Sequence, residues 1–382
     1  MGAGAVAPLM ITAPANAAAG TKAAASADAS GSDTLRELAA RIGLRLGTAV
    51  IPTDLDTPSY ATVLADQFSV VTPGNAMKWG SVEPVRGQFD WSDADTLVAF
   101  AERNGQLVRG HTLLWHNQLP DWLTTGVQNG TISATELASL LKQHILTEVT
   151  RYRGRIWQWD VANEFFLDSD PSGIKPTDFW ISNLGPDIIA DAFRWAHEAD
   201  PHALLFYNDY NIAGEDGTNA KSDAVHAWLT QMLAQGVPIH GVGDQGHLDT
   251  QYGFPTQMAA DLQRYADLGL KVAITEADVR TFVDGPATQV PTDHLATFAQ
   301  PYEFSQMLKA ALSVPECISF TCWGFCDADS WIPGFFTGQG YGTLYDVNLN
   351  PKPAFFDLQQ DLRLAAEGAP YRIGGAGRGF DF

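Results

Sequence analysis

The 382-residue chain is short of positive charge: 23 Lys and Arg stand against 44 Asp and Glu, a net charge of −21. Such a field repels phosphate backbones and anionic lipid headgroups, so neither nucleic acid nor a membrane surface is an expected partner, and a neutral substrate is the natural one. Cysteine is scarce too. Cys317, Cys322 and Cys326 are the only three, an odd number that cannot complete a disulfide framework. Four extended residues would hold Cys322 and Cys326 about 13 Å apart, too far for a bridge without a turn. All three are expected to be small apolar fillers, since the absence of nearby His argues against a metal site there. Beyond the Ala-rich start, no apolar run is long enough to cross a bilayer.

What is present suits a packed globular domain: 45% hydrophobic residues, 18% charged, and 11 Trp. Tryptophans fill cores, but those lining a cleft stack on flat apolar faces, sugar rings included. Residues 1–17 read as a signal-peptide remnant, with Ala15-Asn16-Ala17 fitting an A-x-A cleavage site although no Lys or Arg precedes it, so a secreted, extracellular protein is expected. Residues 18–33 read as a flexible Ala/Ser-rich leader and residues 369–382 as a Gly-rich tail, leaving 34–368 for the fold.

Between these ends, short apolar runs alternate with amphipathic helices. Eight runs have strand character: Leu44–Val50, Phe68–Thr72, Leu107–Leu114, Ile156–Asn163, Leu204–Asn208, Gly241–Gln245, Val272–Glu276 and Ile318–Trp323. Leu137, Leu140, Leu141, Ile145 and Val149 mark one helical face, and Ile188, Ile189, Ala192, Phe193 and Ala196 another. Trp180, Trp195 and Trp228 fall in helical patterns and read as packing residues. Continuously apolar strands separated by helices imply parallel strands covered on both sides. No G-x-G-x-x-G follows the first run, which disfavours a dinucleotide-binding open sheet. Eight units predict a single α/β domain, a (β/α)8 TIM barrel closed by a helix over Pro351–Ala366, acting as a monomer.

The polar residues collect after the carboxyl ends of these strands, where such barrels carry their sites. Asn75 and Lys78 follow the second run; His111, Trp115, His116 and Gln118 the third; Asn163 and Glu164 the fourth; Tyr210 and Asn211 the fifth; Gln245 and His247 the sixth; Glu276 and Asp278 the seventh; Trp323 and Trp331 the eighth. A lone Glu at a strand end is more often an ion-pair partner than a catalyst. Glu164 and Glu276, however, sit on strands three places apart in the ring and can face each other across its mouth. Two carboxyl groups about 5–5.5 Å apart suit a double displacement at a sugar's anomeric carbon with net retention. His247, oriented by Asp278, would keep Glu276 ionised as nucleophile. Glu164 would serve first as acid, then as base, because esterification of Glu276 removes its neighbour's charge. A metal-dependent hydrolase built on His111, His116, His240 and His247 is the rival enzyme reading, and a non-catalytic carbohydrate-binding barrel the rival binding reading. Neither metal nor cofactor is expected.

The chain resembles glycoside hydrolase family 10, the β-1,4-xylanases. VTPGNAMKW (from Val71), RGHTLLWHNQLPDW (from Arg109), WDVANE (from Trp159), YNDYN (from Tyr207), HGVGDQGHL (from His240), ITEADVR (from Ile274), CWGFCDADSW (from Cys322) and LYDVNLNPKPAF (from Leu344) are similar to its motifs and occur in its order. The resemblance implies retaining cleavage of β-1,4-linked xylan or xylo-oligosaccharides, with Glu164 as acid/base and Glu276 as nucleophile. It implies that Asn163 binds the 2-hydroxyl at the cleaved unit. Asn75, Lys78, His111, Trp115, Gln118 and Gln245 would line the glycone side, with Trp323 and Trp331 as aromatic walls, and Tyr210 and Asn211 would reach the leaving group. Four positions depart from the pattern: Gly74 where the family usually has Glu, Asp244 where an aromatic or apolar residue is usual, Gly246 where Ser is usual, and Ala277 where Leu is common. These leave room for another β-glycoside, such as a plant defence glycoside.

Overall fold

The computed structural model describes residues 33–168, 173–285 and 288–368. The expected signal remnant and nearly all of the leader, together with the C-terminal tail, lie outside them. Ten strands occur among the described residues: β1 (Arg45–Val50), β2 (Val70–Pro73), β3 (Leu107–Leu114), β4 (Gln158–Asn163), β5 (Leu204–Asp209), β6 (Gly241–Asp244), β7 (His247–Asp249), β8 (Lys271–Phe282), β9 (Cys317–Cys322) and β10 (Gln339–Gly340). Eight of them are parallel and close a ring in the order β1-β2-β3-β4-β5-β6-β8-β9, with β9 returning to β1 through the Gly47–Thr321 register. This is the expected (β/α)8 barrel.

Ring closure depends on glycines that let large neighbours cross them. A Cβ on Gly110 would collide with the Trp159 ring, and one on Gly241 with the Phe206 ring. Paired across β3 and β4, Gly110 and Trp159 pack a large side chain against a bare backbone, the alternation that fills a small barrel. Outside the ring, the helices form for local reasons. Helix Ala134–Arg151 starts at Ser133, whose hydroxyl accepts from the Glu136 N–H, and buries Leu137, Leu141, Ile145 and Val149 at three-and-four spacing. Helix Asp187–Ala199 buries the whole anticipated face. The closing helix begins at Pro353, two residues later than expected, and packs on helices Leu35–Arg41 and Ala296–Ser313.

One strand differs substantially from expectation. β8 runs on past Glu276 to Phe282, because Asp278, Val279 and Arg280 pair with β7 and Thr281 and Phe282 with β10. The sequence hides this, since the added residues pair above the ring and lack a continuous apolar pattern. The register between β8 and β9 slips between Ile274 and Ala277. Irregularities of this kind re-aim side chains beside active sites, and this one brackets Glu276. None of the three cysteines is in a disulfide, and all are buried, as expected.

Candidate active site

A cavity of about 910 Å³ opens at the carboxyl ends of the barrel strands. Asn75, Lys78, His111, Trp115, Gln118, Glu164, Tyr210, Asn211, Gln245, His247, Glu276, Trp323 and Trp331 all border it. Asn163 and Asp278 stand one layer behind the wall.

Glu276 is 4% exposed and surrounded by donors. Its Oε1 accepts from Asn208 Nδ2 at 2.9 Å and lies 3.6 Å from Arg109 Nη2; its Oε2 lies 3.4 Å from His247 Nε2. Burial alone would raise the Glu276 pKa, but the His247 imidazole beside it, with the electrostatic influence of His111 and Arg109, brings it down to about 2. His247 in turn lies 3.0 Å from Asp278 Oδ2 through Nδ1. Burial opposes its charged form, yet Asp278 and Glu276 hold its pKa up at about 10. The same Asp278 oxygen is also held by Trp331, whose indole N–H donates to Oδ2 at 2.7 Å.

Glu164 has different surroundings. Its Oε2 accepts from the Trp115 indole at 2.8 Å and its Oε1 from the Gln245 amide at 2.9 Å, both neutral donors. Its backbone has φ +64°, and the cleft residues Gln118 and Asn211 also have positive φ, at +51° and +55°. Each such residue costs of order 1–3 kcal/mol, and that strain is characteristic of sites where side-chain direction matters more than stability. Trp115 is braced from behind by the Trp180 indole, which donates to its carbonyl at 2.8 Å. The packing role expected of Trp180 therefore extends to holding up the cavity wall.

Beneath both glutamates runs a buried polar network that sequence reasoning missed. Asn208 Nδ2 donates to Asn163 Oδ1 as well as to Glu276, and its own Oδ1 accepts from Thr275 Oγ1 at 2.6 Å. Arg109 donates through Nε and Nη2 to Asp160 Oδ2 and through Nη1 to the Thr275 carbonyl. His111 Nδ1 also contacts Asp160 Oδ2, at 2.8 Å. Arg109, Asp160 and Asn208 sit inside strand runs where polar residues are costly. That anomaly was the available signal.

The profile of Glycosyl hydrolase family 10 matches residues 34–361. The chain belongs to this family. It is 38% identical over 332 residues to endo-1,4-beta-xylanase B of Thermotoga neapolitana, covering 85% of this chain and 90% of that one. With an endo-1,4-beta-xylanase of Agaricus bisporus it shares 37% over 324 residues, 84% of this chain and 92% of that one. Among solved structures, native xylanase 10B of Thermotoga maritima superposes with a TM-score of 0.80 at 37% identity, covering 87% of this chain and 99% of that chain. Xylanase 10B of Thermotoga petrophila RKU-1 in complex with xylobiose superposes equally well, with 87% and 98% covered.

As a family 10 glycosyl hydrolase, the chain also allows the four departures to be located. Only Gly74 borders the cavity. Asp244 was expected to bear on substrate choice, but its side chain is buried away from the cavity against Glu215. The alternation of side chains along β6 is the cause: Gln245 turns into the mouth and Asp244 turns out of it. Gly246 has φ +73°, and a Cβ there would approach Met307 and Ile274 rather than the cleft. The metal reading also loses its geometry. His116 lies against Asp178, His111 against Asp160 and His247 between two carboxylates. His240, just before β6 at the opposite end of the barrel, accepts from the Leu205 N–H. Among the described residues no three His, Cys, Asp or Glu side chains are grouped to hold a metal.

Proposed function

We propose that the chain is a retaining endo-β-1,4-xylanase in which Glu276 is the nucleophile and Glu164 the acid/base. The observation that carries this is the unlike surroundings of two glutamates on one cavity. Glu276 is kept anionic by cationic neighbours, whereas the side chains that donate to Glu164, the Trp115 indole and the Gln245 amide, are neutral. In the first step Glu276 Oε attacks the anomeric carbon while Glu164 gives its proton to the departing glycosidic oxygen, leaving a glycosyl ester on Glu276. In the second, Glu164 takes a proton from water, the resulting hydroxide equivalent attacks the same carbon, and the ester bond breaks to return Glu276 as carboxylate. Asn208 aligns Glu276 with Asn163, whose amide nitrogen has no partner among the described residues and can serve a sugar hydroxyl. Xylan is the substrate supported by the names of the family relatives and by a sugar-sized cleft walled by Trp115, Trp323 and Trp331. A polymer too large to enter a cell agrees with the export read from the N-terminal sequence.

The test is product analysis on xylan and a panel of aryl β-glycosides, with NMR of the first anomer released. Retention is expected, and inversion would overturn the double displacement. Glu276→Ala should reduce turnover by at least about 10⁴-fold, the scale of losing a covalent nucleophile. Glu164→Ala should fail on xylan yet still form the intermediate from aryl glycosides whose leaving group needs no proton. Equal losses on both substrate types would reassign Glu164.

A further inference from the structure

Glu164 follows the last residue of β4, where the chain turns through a φ of +64°. The backbone N–H groups of Glu164 and of the two residues after it are each held from β5, by three different groups. Glu164 donates to the Asn208 carbonyl at 3.0 Å, Phe165 to the Tyr207 hydroxyl at 3.2 Å, and Phe166 to Asp209 Oδ2 at 3.3 Å. The Tyr207 hydroxyl in turn donates to that same Asp209 oxygen at 2.5 Å. Only the first bond joins backbone to backbone; the other two need the side chains of Tyr207 and Asp209, both fully buried. A lone buried carboxylate is costly. Lys221, 1% exposed on helix Ala220–Ala234, answers it with Nζ 2.9 Å from Asp209 Oδ1 and 2.8 Å from Asp168 Oδ1. Burial opposes the charge on Lys221, yet Asp209 and Asp168 hold its pKa above the usual lysine value. The charge of Glu164 reaches both Tyr207 and Asp209, although neither of these nor Lys221 borders the cavity.

A residue with positive φ holds that conformation only where its surroundings over-determine it. Direction matters acutely for a proton donor, which must come within hydrogen-bond reach of the departing oxygen. A misplacement of about 1 Å at a reacting centre costs about 100-fold in rate. Trp115 and Gln245 hold the tip of the Glu164 side chain. We propose that Tyr207, Asp209 and Lys221 are positioning residues that hold its root: by fixing the peptides after Glu164 they keep its carboxyl aimed at the glycosidic oxygen. This rests on Glu164 being the acid/base, as read above.

Tyr207→Phe removes one hydroxyl and keeps the ring that packs 5.0 Å from Trp228. The unsubstituted protein, Tyr207→Phe and Glu164→Ala would be compared by kcat/KM, which reports the first chemical step. The substrates are two aryl β-xylobiosides, one releasing dinitrophenol, which departs without a proton, and one releasing phenol, which needs one. Tyr207→Phe should lose about tenfold or more on the phenyl substrate and less than about twofold on the dinitrophenyl one, the pattern of a misaimed acid. The Asp209→Asn/Lys221→Met double variant removes both buried charges together and leaves neither unpaired. It should show the same selective loss, and it supplies the reading if Tyr207→Phe does not fold. A merely structural role would lower kcat/KM on both substrates by one factor. That result, or no loss in either variant, would overturn the positioning role alone. Equal losses on the two substrates in Glu164→Ala would overturn the acid/base reading and the positioning role with it.

Discussion

His247 acts on the reaction through Glu276. Its imidazole is held protonated between Asp278 and Glu276, and that proximity is the leading influence lowering the Glu276 pKa against the cost of burial. Replacing His247 with Asn removes a positive charge while keeping a polar side chain. The Glu276 pKa should then climb, since the largest influence opposing burial is lost and only His111 and Arg109 still offset it. A nucleophile is active only as carboxylate, so the acidic limb of the kcat/KM profile should move to higher pH by about one unit or more. A reduced rate with an unmoved limb would assign His247 to substrate contact. The pairing of His247 with Glu276 and Asp278 was legible in the sequence because all three follow strand ends. Asn208, the direct donor to Glu276, ends the anticipated fifth strand at the site-bearing face, but the sequence assigned it no role.

At the level of elements, β6 illustrates how one strand serves two purposes. Gln245, just beyond it, donates to Glu164, whereas Asp244 faces Glu215 in the segment after β5. Burial, reinforced by Glu215, pushes the Asp244 pKa well above the usual carboxylate range. The folded protein therefore holds a proton at this site that the unfolded chain releases above about pH 4. Stability from this group is full below that pH and declines as pH rises toward the raised folded value. Asp244→Asn supplies a permanent donor to Glu215 and removes the dependence. Its melting temperature should exceed that of the unsubstituted protein by about 2 °C or more at pH 7, and the difference should shrink at pH 4. An equal shift at both pH values would show that the pair does not share a proton. The same strand shows a limit of sequence reading: the departure at Asp244 was visible, but its direction depended on the twist and register of β6.

For the molecule as a whole, the ring closes only if large side chains can cross bare backbone. Gly110→Ala would drive a methyl group into the Trp159 ring, which is fully buried. Overpacking of this kind costs about 1–3 kcal/mol. The variant should unfold at lower denaturant concentration with an unchanged m-value, and an unchanged midpoint would mean that the barrel relaxes around the methyl group.

Periodicity, strand–helix alternation and the ordered motifs determined the barrel, the end that carries the site and both glutamates, because each is written in local spacing. Burial direction, the continuation of β8 past Glu276 and the Arg109–Asp160–Asn208 network were decided by tertiary structure. These contacts join residues far apart in the chain, and their side-chain directions depend on how the ring closes, which local pattern does not encode.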